Sequence, residues 1–350
     1  MRYLIDLQRE LPAQWVVDIG YTGNYGYDLT TNLDLNSLPA QYLSTSPVRD
    51  QPAIDFLSAL VPNPLFGLVP TGFTATTVAR SQLLRPFPQF NNVPYFGSDG
   101  TSTYNSFQLK AEKRFSHGYS VLGSYTYSRY MERISKLNNT DASYENRLSG
   151  NDVPNRVTLS ATYELPFGHG HAWGGNVNGF TNGLIGGWSI NAIGTLQSGT
   201  PIDFGGSNIY FNGDLHSLKT HYTTNVNVPV FDISGFYFHD AAVQTNGVDD
   251  PVKQRGDPRI RLTNNIRYFP SRVSGLRTPF LNLWDISIVK QVPLHGTVRA
   301  QFNVEILNAT NQVVYSLASG GTDPTNASFG KVTSQSNLPR EVQLAAKVVF

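Results

Sequence analysis

The chain has no cysteine among its 350 residues. This excludes disulfide staples, thiol catalysis, redox motifs and iron–sulfur clusters, and a chain of this length needs no such staple to fold. Histidines number 7, and none forms the Cys/His spacing of a zinc site. Charge is scarce: Asp, Glu, Lys and Arg make up 15% of the residues, against about 25% in soluble domains. The 26 basic and 25 acidic side chains leave a net charge of +1, which gives no footprint for nucleic acid and no polybasic membrane patch. Also missing is any apolar run of about 18 residues, so no transmembrane helix is expected. The opening residues, MRYLIDLQRE, lack the basic segment, apolar run and small-residue cleavage site of a signal peptide. Either the chain is cytoplasmic or its start has been lost.

Aromatic residues are abundant, with 18 Tyr, 20 Phe and 4 Trp. Mean hydropathy is −0.25, and a chain with that polar average can live in lipid only as a closed sheet, where every backbone group is paired internally. The sequence has the matching periodicity of two. Val298, Ala300, Phe302, Val304 and Ile306 alternate with Arg299, Gln301, Asn303 and Glu305. The same alternation runs through Trp15 to Tyr25, Tyr104 to Phe115, Tyr119 to Met131, Arg156 to Leu165, Trp188 to Gln197 and the stretch around Trp284 to Ile288. With Tyr3 to Leu7 at the start and Arg340 to Phe350 at the end, about nine strands are expected in an all-β, antiparallel, up-and-down transmembrane barrel wall.

Connection lengths alternate. Short turns are expected at 10–14, 116–118 and 293–297, and long connections near 26–103, 132–155, 199–282 and 308–339. Structureless loops longer than about 12 to 15 residues are uncommon in soluble domains. Outer-membrane barrels combine short periplasmic turns with long outer loops. Residues 166–187, rich in glycine, break the rule by standing where a short turn belongs. A soluble β-sandwich or propeller would also alternate, but it explains neither the loop asymmetry nor the low charge.

Parity divides the side chains between two faces. Asp6, Asp18, Lys110, Glu112, Arg114, Arg156, Glu164, Asp285, Arg299, Glu305 and Lys347 fall on the inward face. There they either solvate the lumen or contact a plug or a passing solute. Arg9, Lys113 and Lys290 have lipid-facing parity but lie beside short turns, where a basic side chain costs about 0 to 1 kcal/mol and its stem can snorkel to the headgroups. Tyr3, Trp15, Tyr119, Tyr163, Trp188 and Trp284 near strand ends suit an aromatic girdle.

The closing segment PREVQLAAKVVF resembles the C-terminal insertion signal of bacterial outer-membrane barrels, with Leu344, Val348 and Phe350 on one face. Further pieces resemble the Oar-like barrels of the TonB-dependent transporter family: NPLFGLVP, ARSQLLRPFPQF, TYNSFQLKAEKRFSHGYSVLGSYTYSR, ELPFGHGHAW, GGWSINAIGTLQSGTP, LNLWDISIVKQVPL, VRAQFNVEILNATN and FGKVTSQSNLPREVQLAAKVVF. Together they cover most of residues 60–350, in the order of the C-terminal half of such a barrel. The resemblance implies the bacterial outer membrane, its lipids and the barrel assembly machinery as surroundings. It also implies a plug domain, TonB and a solute as partners of the complete receptor, whose barrel has about 22 strands. An odd number of strands cannot close a bacterial barrel, so the chain reads as the last part of a larger receptor without its plug, or as a truncated gene product. The alternative is a non-transporting outer-membrane surface or glycan-binding β protein, or an inactive remnant.

No cofactor and no catalysis are expected. The seven histidines fall in turns and loops, and no histidine is expected within hydrogen-bond reach of a carboxylate or serine at the barrel rim. His169 and His171 form an HxH pair without a carboxylate, and Asp249 and Asp250 fall short of a calcium loop, so no metal is expected. Phe204, Tyr210, Phe211, Tyr222, Phe236, Tyr237 and Phe238 in the long loops either stack on a ligand or pack the loops themselves.

Overall fold

A computed structural model describes residues 1–68 and 73–350. Nine strands form the wall: β1 (Arg2–Leu11), β2 (Trp15–Asp34), β3 (Pro94–Ser116), β4 (Tyr119–Arg133), β5 (Asn155–Glu164), β6 (Trp188–Gln197), β7 (Leu281–His295), β8 (Val298–Leu307) and β9 (Glu341–Val349). Each pairs antiparallel with the next in sequence order, and Arg147–Leu148 adds a short pairing onto β4. Among the described residues β1 and β9 stand at the two edges, each with one neighbour, so the sheet is part of a barrel wall rather than a closed barrel. No helix among the described residues is long and apolar enough to cross a membrane.

The turns that join β1 to β2, β3 to β4 and β7 to β8 are as short as the sequence implies. The β3–β4 turn puts His117 and Gly118 at positive φ, and Gly296 does the same between β7 and β8, the backbone that tight hairpins require. The first long connection is shorter than read from the sequence, spanning 35–93 rather than 26–103. Alternation is lost after Tyr25 because the β2–β3 ladder shifts register between Gly26 and Leu29 and again between Leu29 and Thr31, with Asp28 at φ 56°. Such bulges let pairing continue while the side-chain period is broken. β2 and β3 thus reach 20 and 23 residues, about twice the 9–11 that a membrane crossing needs, so their distal halves stand clear of the bilayer.

The long connections at 198–280 and 308–340 do not dangle. They build a packed core of their own from Ile202, Phe204, Phe231, Phe236, Phe269, Leu276 and Phe329 among others, with Val48 of the first connection packed against it. This is the one substantial buried apolar cluster in the described chain. The wall has none, because both of its faces are meant for something other than protein core. Of the quoted segment NPLFGLVP, the last two residues lie outside the described residues.

Candidate functional site

Cross-strand register verifies which side chains share a face. Asp18 pairs opposite Lys110, which is opposite Ser124, then Thr158, then Thr195. Continuing across the sheet, Glu164 is opposite Ser189, Arg156 opposite Gln197, Asp285 opposite Ile193, Glu305 opposite Ser287, and Lys347 opposite Gln301. Asp6 faces Gly20 and Arg299 faces Val349 on the same side. The inward candidates with a ladder partner therefore do share one face, but few meet. Lys110 Nζ and Glu112 Oε2 form an exposed ion pair at 3.1 Å. Asp285 Oδ1 accepts the backbone N–H of Asn308 at 2.8 Å, which ties down the start of the last long connection. Arg114 sits in the register shift between Lys113 and Ser116, without a ladder partner.

The opposite face carries the apolar alternation and the six girdle aromatics. Tyr119 pairs with Tyr163 and Trp188 with Lys290 toward the short-turn end, while Trp284 pairs with Gly194 near the loop end. Leu344 and Val348 lie on this face of edge strand β9, opposite Val304 and Ala300. Phe350 follows the last paired residue and is fully exposed. The two lipid-facing lysines do not snorkel outward. Lys113, 2% exposed, donates from Nζ to the Arg114 carbonyl at 3.0 Å and to Ser116 Oγ, 5.2 Å from the Tyr119 ring centre. Lys290 donates to the Leu184 carbonyl at 3.2 Å and to the Gly186 carbonyl, 5.2 Å from the Trp188 ring centre. Backbone carbonyls and an aromatic face replace the headgroups in both cases.

Above the wall, charged groups bolt the loop cap to the strand rim. Glu132, at the outer end of β4, accepts from Arg147 Nε at 2.9 Å and from Arg272 at 2.7 Å. Arg272 also pairs with Asp203 at 2.6 Å, and Arg277 with Asp152 at 2.6 Å. Sequence parity placed none of these residues, because their partners lie up to 140 residues apart in the chain. Tyr210, Phe204, Phe236 and Tyr237 are buried in the cap core, with Phe211, Tyr222 and Phe238 packed against it. All seven thus take part in loop packing, and Tyr222 also lines a cleft. Burial lifts the Tyr237 phenol to about 12, and its hydroxyl donates to the Pro324 carbonyl at 2.9 Å. Between the cap and the loop ends of β6 and β7 lies a cleft of about 550 Å³, lined by Thr220, His221, Tyr222, Thr278, Phe280 and Gln312.

The histidines give one correction. His117 Nδ1 lies 3.3 Å from Ser116 Oγ in the β3–β4 turn, which overturns the expectation of no such contact at the rim, and within the cap His239 Nδ1 lies 2.5 Å from Asp249 Oδ2. Loop folding created the His239 contact across an intervening ten-residue turn. The second nitrogen of His239, Nε2, is 2.9 Å from the Ser234 carbonyl. With acceptors on both nitrogens the ring favours the doubly protonated form, and its pKa is raised, chiefly by the Ser234 carbonyl and then by Asp249. Asp250 accepts from the backbone N–H of Val252 at 2.8 Å and caps the short helix Pro251–Gly256. Among the described residues no three His, Asp or Glu side chains are grouped to hold a metal.

An antiparallel wall with one apolar face, one charged face, tight turns at one end and a packed loop cap at the other defines a transmembrane β-barrel of the outer-membrane class. The model of the outer membrane beta barrel domain family matches residues 1–343, and the chain belongs to that family. Its place is the bacterial outer membrane. No curated protein matches it. Among solved structures it is similar to the outer membrane transporter YddB from Escherichia coli, at 10% identity and TM-score 0.42, covering 99% of this chain and 32% of that one. It is also similar to the pyoverdine outer membrane receptor FpvA from Pseudomonas aeruginosa PAO1, solved bound to pyoverdine, at 10% identity and TM-score 0.38, covering 99% and 29%. The chain thus spans about a third of the length of these structures.

Proposed function

We propose that this chain forms the wall and outer loop cap of an active solute-uptake receptor of the TonB-dependent, Oar-like kind, completed by further strands and a plug that couples to TonB. The observation that carries the reading is an inner face on which the strand charges gather, together with a cleft beneath a cap that an ion network holds to the rim. The unpaired edges of β1 and β9 call for more wall, since an open edge in lipid leaves backbone groups unsatisfied. Inward charges such as Asp18, Lys110, Glu112, Arg156, Glu164, Arg299 and Glu305 supply a hydrated lumen and a surface for the plug. The chain performs no covalent chemistry in this reading, and His239 and Asp249 hold the cap together.

The test is depletion of a medium containing oligosaccharides, peptides and iron chelates by cells with and without the receptor that carries this chain, each with and without a protonophore. Active uptake requires a compound whose depletion needs both the receptor and the proton-motive force. Binding that survives the protonophore without internalisation would replace this reading with a surface-binding module.

A further inference from the structure

The connection between β5 and β6 breaks the pattern of short turns at this end of the wall. It carries a helix, Gly179–Ile185, started by Asn178, whose side chain accepts the Thr181 N–H at 2.8 Å. From Leu165 to Gly187 there is no Asp, Glu, Lys or Arg. A solvated loop of this length would be expected to carry charge.

The helix end is held on the lipid side of the wall. Lys290 has lipid-facing parity, paired with Trp188 across the β6–β7 ladder. Its ammonium donates to the carbonyls of Leu184 and Gly186, and Trp188 Nε1 donates to the Leu184 carbonyl at 2.9 Å. Two side chains of the aromatic girdle region thus satisfy the carbonyls that a helix C-terminus leaves open. Gly187, at φ 68°, makes this close approach possible, since a Cβ there would lie 2.3 Å from the Gln291 carbonyl oxygen. On the helix itself Phe180 and Leu184, four residues apart and so on one face, are 80% and 59% exposed.

We infer that this helix is an interfacial foot whose Phe180 and Leu184 enter the phospholipid leaflet on the periplasmic side of the outer membrane. The occupant of the exposed face is lipid because the face is continuous with the lipid-facing girdle at Trp188 and Lys290, and because the whole segment is uncharged. Apolar side chains on such a helix settle about 5–10 Å into the headgroup and acyl boundary. The foot rests on the barrel assignment and is independent of the transport reading.

The absence of native cysteine allows single-cysteine labelling without background. The full chain, in the receptor that contains it, is reconstituted into phosphatidylethanolamine and phosphatidylglycerol vesicles with an environment-sensitive fluorophore at Phe180→Cys. Leu159→Cys on the lipid face of β5 and Val248→Cys on the cap serve as references. The foot requires a blue-shifted Phe180→Cys label, quenched more by a doxyl group near the headgroup than by one deep in the chain, with Leu159→Cys quenched most by the deep probe. A Phe180→Cys label that matches Val248→Cys while Leu159→Cys is quenched overturns the foot and leaves the barrel standing. A Phe180→Cys label quenched at the same depth as Leu159→Cys also overturns it. If neither Phe180→Cys nor Leu159→Cys is quenched, the wall is not in the bilayer and both assignments fall.

Discussion

The ring of Trp284 occupies the space above Gly194, the residue that faces it across the β6–β7 ladder: a Cβ at Gly194 would lie 2.7 Å from ring carbons of Trp284. Tyr3 and Gly23 repeat the arrangement at the β1 edge, where the Tyr3 ring would overlap a Cβ built on Gly23. Glycine here gives room for a girdle aromatic to lie across the neighbouring strand, and the ring in turn covers the bare backbone. Gly194→Val should therefore lower the stability of the folded barrel by about 1–3 kcal/mol, the usual cost of overpacking. Heat-modifiable migration and urea titration in detergent would measure it. The double variant Gly194→Val with Trp284→Ala should be less destabilised than the sum of its parts, because the clash is then gone.

Asp152 is 1% exposed and takes Arg277 on one oxygen and the Tyr130 N–H, at 2.6 Å, on the other. Removing one member of a buried pair strands the other charge, at a cost of about 3–5 kcal/mol. Asp152→Asn should thus release the cap from the rim while the wall persists. The expected readout is faster trypsin cleavage within 199–280, with heat-modifiability of the barrel retained.

The His239–Asp249 contact gives the cap a pH dependence with a definite sign. His239 has a raised pKa in the folded cap, so its contribution is complete below its unfolded value and is lost as pH rises through the folded one. Asp249 has a lowered pKa, chiefly through His239, so its contribution is present above its unfolded value and is lost as pH falls through the folded one. Segment 234–256 should be tightest from about pH 4 to about pH 6.5 and loosen on either side. Amide exchange of that segment, corrected for intrinsic rates, should show this window, and His239→Gln should remove its alkaline side.

Replacing Lys290 by Met keeps the stem and removes the donor to the Leu184 and Gly186 carbonyls. The Leu184 carbonyl keeps Trp188 Nε1, but the Gly186 carbonyl is left without its side-chain donor, and a buried acceptor without a partner costs about 1–3 kcal/mol. The amide of Gly186, which closes the last helical turn on the Asn182 carbonyl, should exchange faster, with those of β8 unchanged.

Deleting Phe350 removes the exposed aromatic that follows β9. If Leu344, Val348 and Phe350 act as the insertion signal their pattern resembles, the folded fraction in outer membranes should fall. Equal insertion would remove that role from the terminal strand.

The wall was legible in the sequence because strand periodicity is local: each of β1 to β9 alternates within itself, and the face assignments of Asp18, Lys110, Arg156 and Glu305 follow from parity alone. Parity failed where bulges interrupt it, at Gly26 to Thr31, because a bulge adds a residue without changing the composition that would announce it. The stretch 166–187 was visible as an irregularity, but not as a helix, since its seven helical residues, GFTNGLI, include two glycines and carry no strong helical pattern.

By itself, then, the sequence determined an antiparallel membrane wall, its two faces and its alternating connection lengths, because side-chain period and turn residues are written in neighbouring positions. The tertiary structure alone decided what the long connections do. Their aromatics became a packed core, Glu132 met Arg272, Asp152 met Arg277, His239 met Asp249, and Lys290 met the helix end, since each of these depends on bringing distant segments of chain together, and such contacts leave no periodic trace in the residues that make them.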